Sequence, residues 1–186
     1  MKKFSEWFYQ VSKGWVTLIA LVIFLAFTAI VLPQEASKAE ARTGSSTSPD
    51  TSLFYSPKDL YEMADSYGKQ GRKAYVRARF TFDLIFPLVY TFFLVTSISW
   101  LMGRIIPPHS TWRIVNLFPV LGMLFDYLEN ISTSLVMGQY PTETPVVAFL
   151  APIFTFVKWI FVGGSFPLLI SAVGVWGWKA LKNKRS

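Results

Sequence analysis

A chain of 186 residues that is 52% hydrophobic and only 16% charged falls well below the ~25% charged residues of an ordinary soluble domain. The excess lies in four apolar blocks, 14–32, 80–102, 114–137 and 146–178. Each reaches or exceeds the ~20 residues a helix needs to cross a bilayer core, which leaves no room for a separate soluble domain. The absence of cysteine excludes disulfides, thiolate metal sites and cysteine nucleophiles. A net charge of +7 would suggest nucleic acid in a soluble protein. Here the bases flank apolar blocks, so the expected partners are membrane lipids and not nucleic acid.

Backbone groups in lipid must be satisfied within their own segment, and no alternating pattern suggests a barrel, so the blocks read as helices. The expectation is an all-α, four-helix polytopic bundle forming a single membrane domain over residues 1–186, placed in the cell membrane. The first block follows Met1-Lys2-Lys3 and carries few polar side chains beyond Thr17 and Thr28. Ala39-Glu40-Ala41 resembles a signal-peptidase site, but an apolar run of about 19 residues exceeds a signal-peptide core and predicts an uncleaved anchor. Residues 33–55 are rich in Ala, Ser, Thr and charge and read as a flexible linker. Ser56-Pro57-Lys58-Asp59 then starts a helix, with a capping Ser, Pro at the first helical position and an acid in the first turn. Over 56–67 this helix presents Leu60, Tyr61, Ala64 and Tyr67 as an amphipathic surface for the membrane interface. Gly68 and Gly71 interrupt it. Lys69, Arg72, Lys73, Arg77 and Arg79 lead into the second block, where lipid headgroups are the expected contact for the last four.

Orientation follows from bases near the span ends. An inside N-terminus collects Lys2, Lys3, Lys13, Arg104, Arg113, Lys179, Lys182, Lys184 and Arg185, against eight bases on the other side, all in the first loop. The N-terminal lysines and the basic tail favour cytoplasmic termini.

The most informative residues are ionisable groups within the blocks. A charge at bilayer depth costs roughly 2.5–3.5 kcal/mol on insertion scales, so it rarely persists without a partner or a function. On the third block, Asn116, Met123, Asn130 and Met137 share one heptad line. Pro119, Asp126 and Thr133 share the next, with Glu129 beside them. Leu117, Leu121, Leu124, Leu128 and Leu135 face away. The second block repeats the pattern with Asp83, Tyr90 and Ser97, and the fourth with Thr155, Lys158 and Ser165. At ~1.5 Å per residue, Asp126 lies ~20 Å and Lys158 ~18 Å into their blocks, near mid-bilayer. The first block has little to contribute and is expected at the periphery. Three carboxylates then face one lysine. A proton, a metal ion, an ammonium group or a loop arginine must complete the site. Asp83 also has Arg79 one turn away as a partner.

Other features point less sharply. Pro87, Pro119, Pro152 and Pro167 permit kinks and hence a cavity. Gly163-Gly164-Ser165 suggests close helix packing, and Trp100, Trp112, Trp176 and Trp178 suggest an aromatic belt. The lone His109 sits in a turn, and Asn130-Ile131-Ser132 is a sequon placed in a span. No nucleotide loop, nucleophile elbow or paired-His motif occurs, so no cofactor or metal is expected.

The runs Tyr75 to Tyr90, with Asp83 and Pro87, and Phe125-Asp126-Tyr127-Leu128-Glu129-Asn130 resemble a group of small prokaryotic four-span membrane proteins without an assigned activity. The layout is also similar to the emopamil-binding (EXPERA) superfamily. That resemblance implies a four-span bundle with a long first loop and intramembrane acids around a sterol or cationic amphiphile. Asp83, Asp126, Glu129 and Asn130 would be the counterparts. The superfamily's isomerases use an intramembrane histidine, whereas His109 is in a loop, so the resemblance leaves ligand binding open and does not carry over isomerase chemistry.

The expectation is therefore a cavity among the second to fourth spans that binds a small amphiphilic or cationic ligand or a lipid. Asp126 and Glu129 would supply charge, Asn130 and Tyr90 hydrogen bonds, and Lys158 an internal counter-ion, with Asp83 and Asn116 completing the lining. The alternatives are proton- or ion-coupled transport, which without an internal repeat would need a homodimer; an intramembrane enzyme using a carboxyl as acid or base; and a structural subunit in which the polar contacts hold helices together.

Overall fold

A computed structural model describes residues 1–45 and 47–183, all of whose regular structure is helical. Ser46 of the expected linker, and Lys184 and Arg185 of the basic tail, lie outside the described residues. Helices α1 (Lys2–Val11), α2 (Gly14–Ala26) and α3 (Leu32–Thr43) come first, with a π-helical turn at Phe27–Val31 joining the last two. Then follow α4 (Pro57–Ser66), α5 (Gly68–Arg79), α6 (Phe82–Ile105), α7 (Phe118–Gln139) and α8 (Pro145–Asn183). Short 3₁₀ turns lie at Pro49–Thr51 and Thr111–Leu117.

Four helical stretches are long and apolar enough to cross a membrane: Gly14–Thr43, Gly68–Ile105, Thr111–Gln139 and Pro145–Asn183. Each contains one of the apolar blocks and most run well past it. The 39 residues of α8 span about 58 Å, nearly twice a bilayer core. Leu18, Val22 and Leu25 on α2, Leu84 and Leu88 on α6, and Ile153 and Ile160 on α8 are exposed. Continuous apolar faces of this kind suit a hydrocarbon solvent.

Two apolar cores hold the bundle. One centres on α6, where Tyr90, Phe93, Leu94, Ile98 and Leu101 pack with Ala20 of α2 and with Val162 and Ala172 of α8. The other joins the loop helices to the far ends of α7 and α8 through Leu60, Ala64, Tyr67, Tyr75, Val136 and Ala148. Helices α7 and α8 come into close contact at Gly122, where an added Cβ would stand 2.6 Å from Val162 Cγ2 and 3.2 Å from the Val162 backbone nitrogen. Gly163 and Gly164, expected to serve close packing, face open space instead.

Three expectations for the first loop change. The supposed linker is helical over Leu32–Thr43, since the first span does not stop at Pro33; Pro is accommodated in the opening turn of α3. The helix ends at Gly44, whose φ of 69° is the left-handed conformation glycine accepts at a helix C-terminus. The start of α4 has the capping box that its sequence suggests: Ser56 Oγ accepts from the Asp59 N–H at 3.2 Å, and Asp59 Oδ2 accepts from the Ser56 N–H at 2.7 Å. Its apolar face is not free for lipid, however, because Leu60, Ala64 and Tyr67 are buried against α7 and α8. Of the two glycines expected to break the helix, only Gly68 does so, with φ 58°. Gly71 lies inside α5, where its bare Cα admits the chain at Arg42 and Thr43.

Candidate functional site

The third span places its polar residues in two separate groups. Asp126, Glu129 and Asn130 lie within α7, whereas Asn116 belongs to the preceding 3₁₀ turn and so leaves the heptad line assumed for it. Asn116 is fully buried at the opposite end of the bundle. Its Nδ2 donates to the Ser5 carbonyl at 3.1 Å and to Ser99 Oγ at 3.0 Å, and its Oδ1 accepts from Ser5 Oγ at 2.7 Å. This group is neutral and each of the amide's polar atoms is engaged. It ties α1 to α6 and does not join the acidic site.

The charged group is built from four helices and the 3₁₀ turn Pro49–Thr51. Lys158 of α8 pairs with Glu129 of α7 at 2.5 Å, and both are buried. Glu129 Oε1 has no further partner among the described residues. Asp126 takes two hydrogen bonds, from Tyr90 Oη at 2.9 Å and from Asn130 Nδ2 at 3.0 Å. Arg79, at the end of α5, pairs with Asp50 and lies 3.1 Å from Asp83. Its Nη1 also reaches Asn130 Oδ1 at 3.5 Å, which links it to the Asp126 cluster. Near Glu129, Thr155 shares a hydrogen bond of 2.9 Å with Tyr55 Oη. Ser97 and Ser165 are buried but stay outside the group; Ser165 bonds the Phe161 carbonyl of its own helix.

Asp50 is the member of the charged group that the sequence does not reveal. The loop 47–51 turns inward, anchored by fully buried Pro49 and by the Tyr67 hydroxyl, which donates to the Thr47 carbonyl at 2.6 Å. Burial works against ionisation of Asp50, but the Arg79 guanidinium, with help from Lys158 and the Ser48 hydroxyl, holds its carboxyl below the usual carboxylate range. The only local signal is Pro49-Asp50 within a run of Ser and Thr, and nothing in that run announces burial. Arg79 supplies the loop arginine that the charge imbalance called for. It does so from a buried position rather than among lipid headgroups. Arg72 is also engaged, donating to the Ala64 carbonyl at 2.7 Å and lying over the Tyr140 ring. Lys73 and Arg77 remain exposed.

A cavity of about 520 Å³ opens beside these groups, within the range of small-molecule sites. Asp50, Arg79, Asp83, Tyr90, Asp126 and Lys158 are in its polar lining, to which α3 adds Glu35, Glu40 and Arg42. Its apolar wall comes from Phe82, Phe86, Trp159 and Phe166, and also from Phe24, Thr28 and Leu32 of the first span. The first span is thus peripheral on its outer side but lines the cavity on its inner side, so the enclosure is not confined to the second to fourth spans. The π-turn at Phe27–Val31 falls on this wall, where the wider helix shifts Thr28 and Leu32 relative to a regular α-helix. Glu129 and Asn130 do not reach the cavity and act behind its wall, through Lys158 and Asp126.

Four carboxyl groups (Asp50, Asp83, Asp126 and Glu129) stand against two bases, Arg79 and Lys158. Burying Asp50 and Arg79 together leaves the imbalance of two unchanged. Glu129 and Lys158 satisfy each other, so the surplus is carried by Asp126 and by the Asp50–Asp83 pair, and these are the groups that line the space. No family model, curated protein or solved structure matches the chain, so its resemblances remain ones of motif and layout.

Proposed function

We propose that the protein is a membrane binding protein for a small cationic amphiphile. The ammonium group would lie among Asp50, Asp83 and Asp126, and the apolar body would lie against Phe24, Leu32, Phe86 and Phe166. The observation that carries this reading is the pairing of surplus carboxylates with an apolar enclosure in one cavity. A group that brings positive charge on a greasy body satisfies both walls, whereas an anion or a bare metal ion satisfies neither or only one. Asn130 and Tyr90 orient Asp126 by donating to its two oxygens, so that their removal would weaken binding without removing charge.

Ion-coupled transport by the same acids has less support. The linked groups run from Asp50 inward through Arg79, Asn130 and Asp126 to Tyr90. Beyond Tyr90 the interior holds Phe93, Leu94 and Ile98, with the hydroxyls of Thr91, Thr96 and Ser97 among them but no further buried carboxyl among the described residues. The chain of carboxyls therefore ends there rather than crossing the bundle.

The test is thermal unfolding in detergent with a matched series: a long-chain primary alkylamine, the alcohol of the same length and the fatty acid. The amine alone should raise the unfolding temperature of the wild type, and Asp126→Asn should lose most of that rise while keeping the ligand-free melting point. Equal stabilisation by amine and alcohol, or an undiminished amine effect in Asp83→Asn/Asp126→Asn, would overturn the reading. Native mass spectrometry of the gently extracted wild type and of the double variant then identifies any co-purifying ligand by its mass.

A further inference from the structure

The two ends of the bundle differ in how their charges are used. At the end formed by the loop helices, residues 32–79 and 138–145 carry eight bases and seven acids. Several of those bases are taken: Arg79 pairs with Asp50 and Asp83, Lys38 with Glu35 and Lys58 with Glu62. The other end collects Lys2, Lys3 and Lys13, Arg104 and Arg113, and Lys179 and Lys182, against the single acid Glu6. None of these seven bases forms an ion pair among the described residues.

Helix α1 lies at this basic end, and along it Phe4, Trp7, Phe8 and Val11 recur at i, i+3, i+4 and i+7. The opposite face is pinned to the bundle. Ser5 is buried on Asn116, and the Tyr9 hydroxyl donates to the Arg113 carbonyl at 2.8 Å while the Arg113 guanidinium lies 3.6 Å from the Tyr9 ring centroid. With one face fixed, the aromatic face points outward. Phe4 is 48% and Trp7 51% exposed, and Trp15 and Trp112 are exposed with them. Beside the helix a shallow cleft lined by Glu6, Tyr9, Gln10, Pro108 and Arg113 opens at the same level.

We propose that this end is a binding surface for anionic phospholipid headgroups, with α1 lying in the interface, Phe4 and Trp7 among the acyl chains, and the surrounding lysines and arginines on the phosphates. The chemistry follows from the composition of the face. Unpaired bases attract an anionic leaflet, and each base held near the surface adds to that attraction. An amphipathic helix with aromatic residues on one side and lysines at its edge lies along the headgroup boundary rather than across it. A zwitterionic leaflet would accept the aromatics but leave the bases without counter-ions, so the surface discriminates by headgroup charge. Arg113 lines the cleft with its guanidinium held over the Tyr9 ring, and the edge of that group facing the cleft offers a seat for one phosphate.

The chain has no cysteine, so a nitroxide on Phe4→Cys reports this helix alone. The full-length protein is reconstituted in vesicles of phosphatidylcholine, with and without phosphatidylglycerol, and collision of the label with oxygen and with an aqueous nickel chelate is measured. Adding phosphatidylglycerol should raise oxygen accessibility and lower nickel accessibility at position 4. Lys2→Gln/Lys3→Gln or high salt should abolish the shift, and a label on Glu62→Cys at the other end should not show it. A label that stays in water with both lipids, a shift that survives loss of the lysines, or an equal response at position 62 would each overturn the proposal. Circular dichroism of the lysine variant, expected to match the wild type, separates loss of lipid contact from loss of the helix.

Discussion

Asn116 and Asp126 stand on the same strand of sequence and are both drawn into the interior, yet the regions around them are built on different terms. Around Asn116 donors and acceptors are matched and no charge is involved, with Ser5, Ser99 and the amide closing on one another. Around Asp126 every group has a partner and yet carboxyl groups outnumber bases, and a cavity lies beside it. The difference teaches how to separate structural polarity from functional polarity inside a membrane bundle. Burial alone does not distinguish them, since Asn116 and Glu129 are both fully buried. What distinguishes them is whether the group is complete without a ligand.

That contrast can be attacked first at its most expensive point. Lys158→Met leaves Glu129 without its counter-charge, and removing one partner of a buried pair typically costs about 3–5 kcal/mol. Thermal unfolding in detergent should show a large loss. The double variant Lys158→Met/Glu129→Gln should recover most of it, because the pair neutralises itself and only its lysine lines the cavity. Failure of the double variant to recover would mean that Lys158 serves the cavity rather than Glu129.

A smaller effect sharpens the comparison from the other side. Asn116→Ala removes hydrogen bonds that tie α1 to the bundle and should lower stability by about 1 kcal/mol. It should leave alkylamine binding unchanged, since Asn116 is far from the acidic group in the fold. If amine binding falls with it, the two polar regions are coupled.

The smallest effect concerns the loop that brings in Asp50. Its folded-state carboxyl titrates below the ordinary value of 3.8, so the Asp50–Arg79 contribution is fully present above about pH 4 and is lost as pH falls through the folded value. A nitroxide on Thr47→Cys should become more mobile in that acid window and no more mobile between neutral pH and pH 5. Asp50→Asn should show the mobile spectrum already at neutral pH. An unchanged spectrum in that variant would assign the anchoring of the loop to Pro49 and Tyr67 instead.

Much of the architecture was legible in the residues. Four apolar blocks of membrane length appear as four long helices because, in an apolar solvent, length and composition suffice to specify a helix. The capping box before α4 was equally plain, being a local arrangement of Ser56, Pro57 and Asp59. Helical periodicity put Asp126 and Asn130 on one face of α7, whatever the neighbours are, while Tyr90 meets them only through the packing of α6 on α7. Periodicity misled at Asn116, where the chain is 3₁₀ rather than α, and at α4, whose apolar stripe was assigned to lipid when it packs on protein. An amphipathic pattern says that a face is buried and not what buries it.

By itself, then, the order of residues determined the helical class, the four membrane-length segments and the presence of interior charge, all of which depend on interactions within a few turns of chain. Only the tertiary structure decided which charges meet. Asp50 reaches Arg79 because a Ser- and Thr-rich loop folds back into the bundle, and the first span becomes a cavity wall because α2 packs beside α6. Both depend on contacts between segments far apart in sequence, where the free energy is set by the complementarity of the assembled surfaces and leaves no periodic trace in either partner alone.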